Sequence, residues 1–127
     1  MTNRADSSDA IYLPGPPKWT IDALIQKLQT LLRNRVDEAY LFGSYARGTA
    51  NADSDIDLIV VTPTEARWPR RAEAFADLWD HLGPIDVLVY RPDEWTQMHA
   101  THHSFLDATA EERINIFRDS GSKHSPH

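Results

Sequence analysis

The chain has 127 residues, a net charge of −6, 41% hydrophobic and 25% charged residues, and no cysteine. That suits one globular domain rather than a multidomain machine; it excludes disulfides, thiolate zinc sites and cysteine nucleophiles. The acidic balance argues against a basic, nonspecific nucleic-acid-binding face, and no stable nucleic-acid binding is expected.

Residues 1–17 read as a polar arm ending in Pro14-Gly15-Pro16-Pro17, which continues neither a helix nor a central strand. Met1 to Ala10 hold no apolar signal segment, and no apolar run approaches the ~20 residues of a membrane span, so a soluble, cytoplasmic protein is expected. The domain is expected over 18–119, with a loose polar tail over 120–127. Ile21, Leu24, Ile25, Leu28, Leu31 and Leu32 recur at helical spacing behind the N-cap candidate Thr20, which predicts a helix over 20–34. Ala39 to Phe42 is a short apolar run ending at Gly43 and reads as a buried strand. Asp55 to Val61, closed by Pro63, reads as a second strand. Over 66–82 helical spacing returns, with Trp68, Ala72, Phe75, Trp79 and Leu82 able to share one inward face. Gly83-Pro84 breaks it, and Ile85 to Tyr90 reads as a third strand. From Pro92 the chain is expected to be mostly helical, anchored by Phe105, Leu106, Ile114, Ile116 and Phe117. The fold class is therefore α/β or α+β: a small mixed sheet packed by helices.

The chemistry concentrates in Leu41-Phe42-Gly43-Ser44-Tyr45-Ala46-Arg47-Gly48 and in Asp53-Ser54-Asp55-Ile56-Asp57-Leu58. Alternation along a strand places Asp55 and Asp57 on one side, about 6.6 Å apart along the backbone. Two such carboxylates repel unless something neutralises them, and a divalent cation does so. Hard oxygen donors suit Mg2+ or Mn2+ rather than zinc. Gly43 lets a ligand approach the backbone closely. Ser44, opening a helical turn, offers an N–H and a hydroxyl to a phosphate, and Arg47 offers a forked donor one turn on. An ion pair with Asp53 is the rival use of Arg47. Asp86, inside the apolar run Ile85 to Tyr90, is costly there unless paired or metal-bound. If its strand neighbours Asp55–Val61, three carboxylates serve two metal ions. A phosphate cradle beside such a set points to a nucleoside triphosphate. His99, His102 and His103 match no zinc template and read as solvent-facing. Trp68, Trp79 and Trp95 read as core or interface residues rather than stacking platforms.

Gly43-Ser44, ten residues, then Asp55-x-Asp57 and a later strand aspartate resemble the nucleotidyltransferase superfamily that includes DNA polymerase beta. The fuller string, from Gly43 to Gly48 and through Ser54 to Leu58, resembles the minimal nucleotidyltransferase (MNT) proteins in particular, over roughly residues 20–118. That resemblance implies a polymerase-beta-like nucleotidyltransferase fold. It implies metal binding by Asp55, Asp57 and Asp86, with two Mg2+ ions, and triphosphate binding by Gly43, Ser44 and Arg47, with ATP as substrate. It further implies an antitoxin that transfers AMP to a hydroxyl, a tyrosine in some members, of a partner HEPN-domain ribonuclease toxin. Two other uses of the same motif are a non-catalytic antitoxin that neutralises the toxin by binding, and an enzyme acting on a small hydroxylated acceptor such as an aminoglycoside.

Overall fold

The structure, a computed structural model, describes residues 13–118. Most of the expected arm (1–12) and all of the expected tail lie outside the described residues.

The first helix, α1 (Ile21–Leu32), begins where the sequence predicts. The Thr20 side chain accepts from the Ala23 N–H at 3.1 Å, and Leu24, Leu28 and Leu32 are fully buried. Replacing Thr20 by alanine is expected to cost about 1 kcal/mol of stability, read as a shifted urea midpoint with an unchanged slope.

Then follow β1 (Glu38–Phe42), α2 (Gly43–Arg47), β2 (Ile56–Val61), α3 (Trp68–Arg71), a 3-10 turn (Ala72–Phe75), α4 (Asp77–Leu82), β3 (Ile85–Tyr90), α5 (Pro92–Ala100), α6 (Ser104–Thr109) and β4 (Ile114–Asn115). The strands form one mixed sheet ordered β3-β2-β1-β4. β1 pairs antiparallel with β2 and β4, while β2 pairs parallel with β3. The parallel pair needs a crossover connection, which α3, the 3-10 turn and α4 supply.

Both faces of the sheet are covered. On one, Ala39, Leu41, Ile56, Leu58, Val60, Ile85 and Val89 pack against α1, Phe75, Leu78 and Leu82. On the other, Ile59 and Val61 pack with Tyr40, Phe42, Leu88 and Tyr90 beneath Trp95 and Leu106 of α5 and α6. Tyr40 stacks on Trp95 at 5.2 Å between centroids and donates its hydroxyl to Glu38; burial, then that bond, pushes its pKa up to about 12. Among the described residues no helix is long and apolar enough to cross a membrane.

Two expectations are corrected. The helical stretch 66–82 is three short pieces, and its buried residues are Arg71, Phe75, Leu78 and Leu82; Trp68 and Trp79 are 47% and 56% exposed. The stripe is displaced because Arg71 can be buried. Its guanidinium donates to the Ala66 and Val89 carbonyls and, through two nitrogens, to the Glu94 carboxylate at 2.7 and 3.1 Å. Trp68 is left flanking this group, 5.0 Å from the Tyr90 ring. The bonds from Arg71 hold the Glu94 carboxyl below its usual range. Its ionised form therefore stabilises the fold above the ordinary glutamate pKa, and that contribution is lost as pH falls through the depressed folded value. Replacing Glu94 by glutamine should cost about 1.5–3 kcal/mol near neutrality, and the gap from the unmodified protein should close in acid denaturation series.

The second correction concerns the C-terminal segment. It is not helical to its end: after α6 it turns into β4, where Ile114 pairs with Leu41 and Asn115 with Tyr40. Ile116 is then fully buried, its carbonyl accepting from Gln29 of α1.

Candidate active site

The site lies where β1 ends and β2 and β3 begin. Phe42, Asp57 and Asp86 are register neighbours there: Phe42 opposite Asp57 in the antiparallel pair, Asp57 beside Asp86 in the parallel one. Alternation puts Asp57 and Asp86 on the face that carries Ile59 and Leu88 further along. The turn that delivers Asp55 is tied by Asn51 and Ser54: the Asn51 N–H donates to the Ser54 hydroxyl at 2.9 Å, and the Ser54 N–H to the Asn51 carbonyl at 3.0 Å. Ser54 is thus a turn residue. Asp55 itself immediately precedes β2 and is exposed, as is Asp86; Asp57 is half-buried.

Gly43 has φ +78°, a conformation L side chains rarely adopt. A Cβ there would stand 2.1 Å from Asp57 Oδ2 and 3.0 Å from its Cγ. The Asp57 carboxyl therefore rests directly on the bare Cα of the turn, so a carboxylate and the phosphate-cradle candidate share one small space. Ser44 is half-buried in the first turn of α2, which Gly48 closes at φ +80°.

Burial raises the Asp57 pKa first, and the charges of Asp86 and Asp55 raise it further; Arg47 opposes them and Glu112 adds to them. Asp57 thus feels the charges of both Asp55 and Asp86. Among the described residues no three or more histidine or acidic side chains are placed so that they could hold a metal ion together. The chemistry of the donors nevertheless fits Mg2+, which typically takes one or two carboxylates and completes its shell with water and substrate phosphates. The negative charge gathered around Asp57 is what a bound cation would neutralise.

Arg47 is exposed and has a carboxylate partner in Glu112. Its Nη1 lies 3.2 Å from Glu112 Oε1, and Glu112 Oε2 accepts from the Gly43 N–H at 2.8 Å. Glu112, in the turn between α6 and β4, is a site residue that the sequence reading missed. It stands 69 residues from Gly43, and no local spacing marks it. The histidines are exposed, as expected; His99 Nδ1 lies 2.9 Å from the Trp95 carbonyl.

Comparison with known proteins fits this geometry. One relative is the "Putative protein adenylyltransferase MJ0141" of Methanocaldococcus jannaschii, 41% identical over 34 residues, which are 27% of this chain and 34% of that protein. The match thus spans about a third of that relative's length. The fold is similar to that of a chain in a crystal structure of a toxin–antitoxin with AMP-PNP: TM-score 0.55, 22% identity, 77% of this chain and 76% of the other covered. It is also similar to a chain in the complex of a tri-AMPylated Shewanella oneidensis HEPN toxin with its MNT antitoxin: TM-score 0.50, 18% identity, 81% and 76% covered. At these identities the structures establish the fold, which is that of nucleotidyltransferases. Residues 21–116, from the start of α1 to just past β4, match the nucleotidyltransferase domain model, and the chain belongs to that family.

Proposed function

We propose that this protein transfers AMP from ATP to a hydroxyl, a tyrosine in the first instance, of a partner HEPN-domain ribonuclease toxin, and thereby acts as its antitoxin. The observation that carries the reading is the packing of Asp57 on Gly43, with Asp86 in register beside it and Asp55 just before it. It joins a phosphate-binding turn to a carboxylate set that calls for a cation.

In this reading Gly43 and Ser44 cradle the triphosphate, and Arg47 donates to its outer oxygens. Asp55, Asp57 and Asp86 would hold two Mg2+ ions, which when bound supply Lewis-acid chemistry at the attacking hydroxyl and the leaving phosphate. The acceptor oxygen attacks the α-phosphorus; a new O–P bond forms as the α–β bridging P–O bond breaks, and pyrophosphate leaves. A carboxylate oxygen of Asp86 or of Asp55, both exposed, takes the hydroxyl proton.

Intact mass spectrometry tests this. Mixing the protein with ATP, Mg2+ and an HEPN-domain protein from the same genome is expected to add one or more AMP masses to the partner. A stable complex without added mass would replace transfer by neutralisation through binding. Neither mass nor complex would turn the search to small hydroxylated acceptors.

A further inference from the structure

Glu112 is an anion placed beside the aspartates, since it holds the N–H of the same Gly43 whose Cα carries the Asp57 carboxyl. That placement is electrostatically unfavourable unless its own bonds compensate. They are few and specific: the Gly43 N–H at 2.8 Å and Arg47 Nη1 at 3.2 and 3.4 Å. A neutral glutamine would satisfy the Gly43 N–H equally well and add no repulsion. What only the carboxylate does is hold the Arg47 guanidinium, whose side chain is otherwise 52% exposed. A solvated arginine samples many rotamers, and fixing it beforehand spares that entropy when a ligand arrives. A guanidinium has five N–H donors. Glu112 engages only Nη1, so Nε and Nη2 still have N–H groups to offer.

We propose that Glu112 is a positioning residue of the nucleotide site: it pins the Gly43 turn and pre-orients Arg47 toward the triphosphate. The proposal rests on the nucleotide-binding reading above. The main chain of this turn is then held from two sides, by Asp57 against the Gly43 Cα and by Glu112 on the Gly43 N–H. Because Glu112 directly precedes the segment leading into β4, the phosphate turn is also tied to the sheet edge formed by the C-terminal part of the domain.

The test is a set of calorimetric titrations with AMP-PNP and Mg2+, alongside steady-state AMP transfer. Glu112→Ala is expected to weaken AMP-PNP binding about tenfold and to raise KM for ATP more than it lowers kcat. Glu112→Asp, which keeps the charge, should recover part of the loss. In an Arg47→Ala background, Glu112→Gln, which keeps an acceptor for the Gly43 N–H, should change binding less than twofold, because the charge acts through the arginine; a merely structural strut would act equally in both backgrounds. If Glu112→Ala lowers folding, Glu112→Gln carries the same comparison. Unchanged binding, tighter binding by Glu112→Gln, or equal losses in the two backgrounds would each overturn the positioning role while leaving the nucleotide site standing. Absence of AMP-PNP binding by the unmodified protein would overturn the nucleotide-site reading, and this proposal with it.

Discussion

Replacing Asp55 and Asp57 together by asparagine is expected to lower AMP transfer by on the order of 10³-fold or more, with the fold retained. Asparagine keeps the size of aspartate but removes the negative charge that would hold a cation, and with it the positive charge that would stabilise the departing pyrophosphate. The same change relieves repulsion in the metal-free protein. Asp57 titrates above the ordinary aspartate range because of burial, Asp86 and Asp55. The folded state therefore holds its proton at pH values where the unfolded chain has released it, and stability declines as pH rises from the unfolded pKa through the raised folded one. Above that window the metal-free protein carries the penalty, and the double variant does not. Its thermal midpoint without metal is expected to match or slightly exceed the parent's, by up to ~3 °C, the penalty being reduced by partial solvation of the site. Mg2+ should raise the parent's midpoint and leave that of the variant nearly unmoved. Undiminished transfer by the double variant would exclude these carboxylates from the chemistry.

Replacing Gly43 by alanine is expected to separate activity from stability. The φ of +78° costs an L residue about 1–2 kcal/mol. The added Cβ meets Asp57 Oδ2 at 2.1 Å, Cγ at 3.0 Å and Cβ at 3.2 Å. The carboxylate end can swing away, but three atoms of one side chain cannot all yield without a change of rotamer. The stability loss therefore stays near about 2 kcal/mol, because Asp57 can leave toward solvent. Activity falls further, by about 10²-fold or more, since a displacement of about 1 Å in a catalytic group is costly. Denaturation and initial-rate measurements on the same preparation check both figures. A variant with near-normal transfer would show that the turn and Asp57 need not be in contact during catalysis.

Much of this was legible before any coordinates. Thr20 and the leucines behind it mark α1 because capping and amphipathic spacing are local properties. The three longer strands read from apolar runs bounded by Gly43, Pro63 and Gly83-Pro84, and each lies within a residue or so of its expected limits. β4 did not read as a strand. Two residues, Ile114 and Asn115, carry no periodicity of their own, and only the free edge of β1 makes them one. The buried face of 66–82 differs from the face its spacing predicts for a related reason. Burying Arg71 rather than Trp68 or Trp79 depends on Glu94 and on the carbonyls of Ala66 and Val89, most of them far along the chain.

The candidate site divides in the same way. By itself the sequence determined the family pattern, the glycine–serine turn and the Asp-x-Asp pair, because each is a short segment whose residue types and spacing carry the chemistry. The tertiary structure decided that Asp86 stands beside Asp57, because parallel register is set by the whole β2–β3 pair rather than by either strand. It also decided that Asp57 packs on Gly43 and that Arg47 meets Glu112. Those are contacts between segments distant in sequence, fixed only when the sheet closes and a carboxylate 69 residues away reaches the Gly43 N–H.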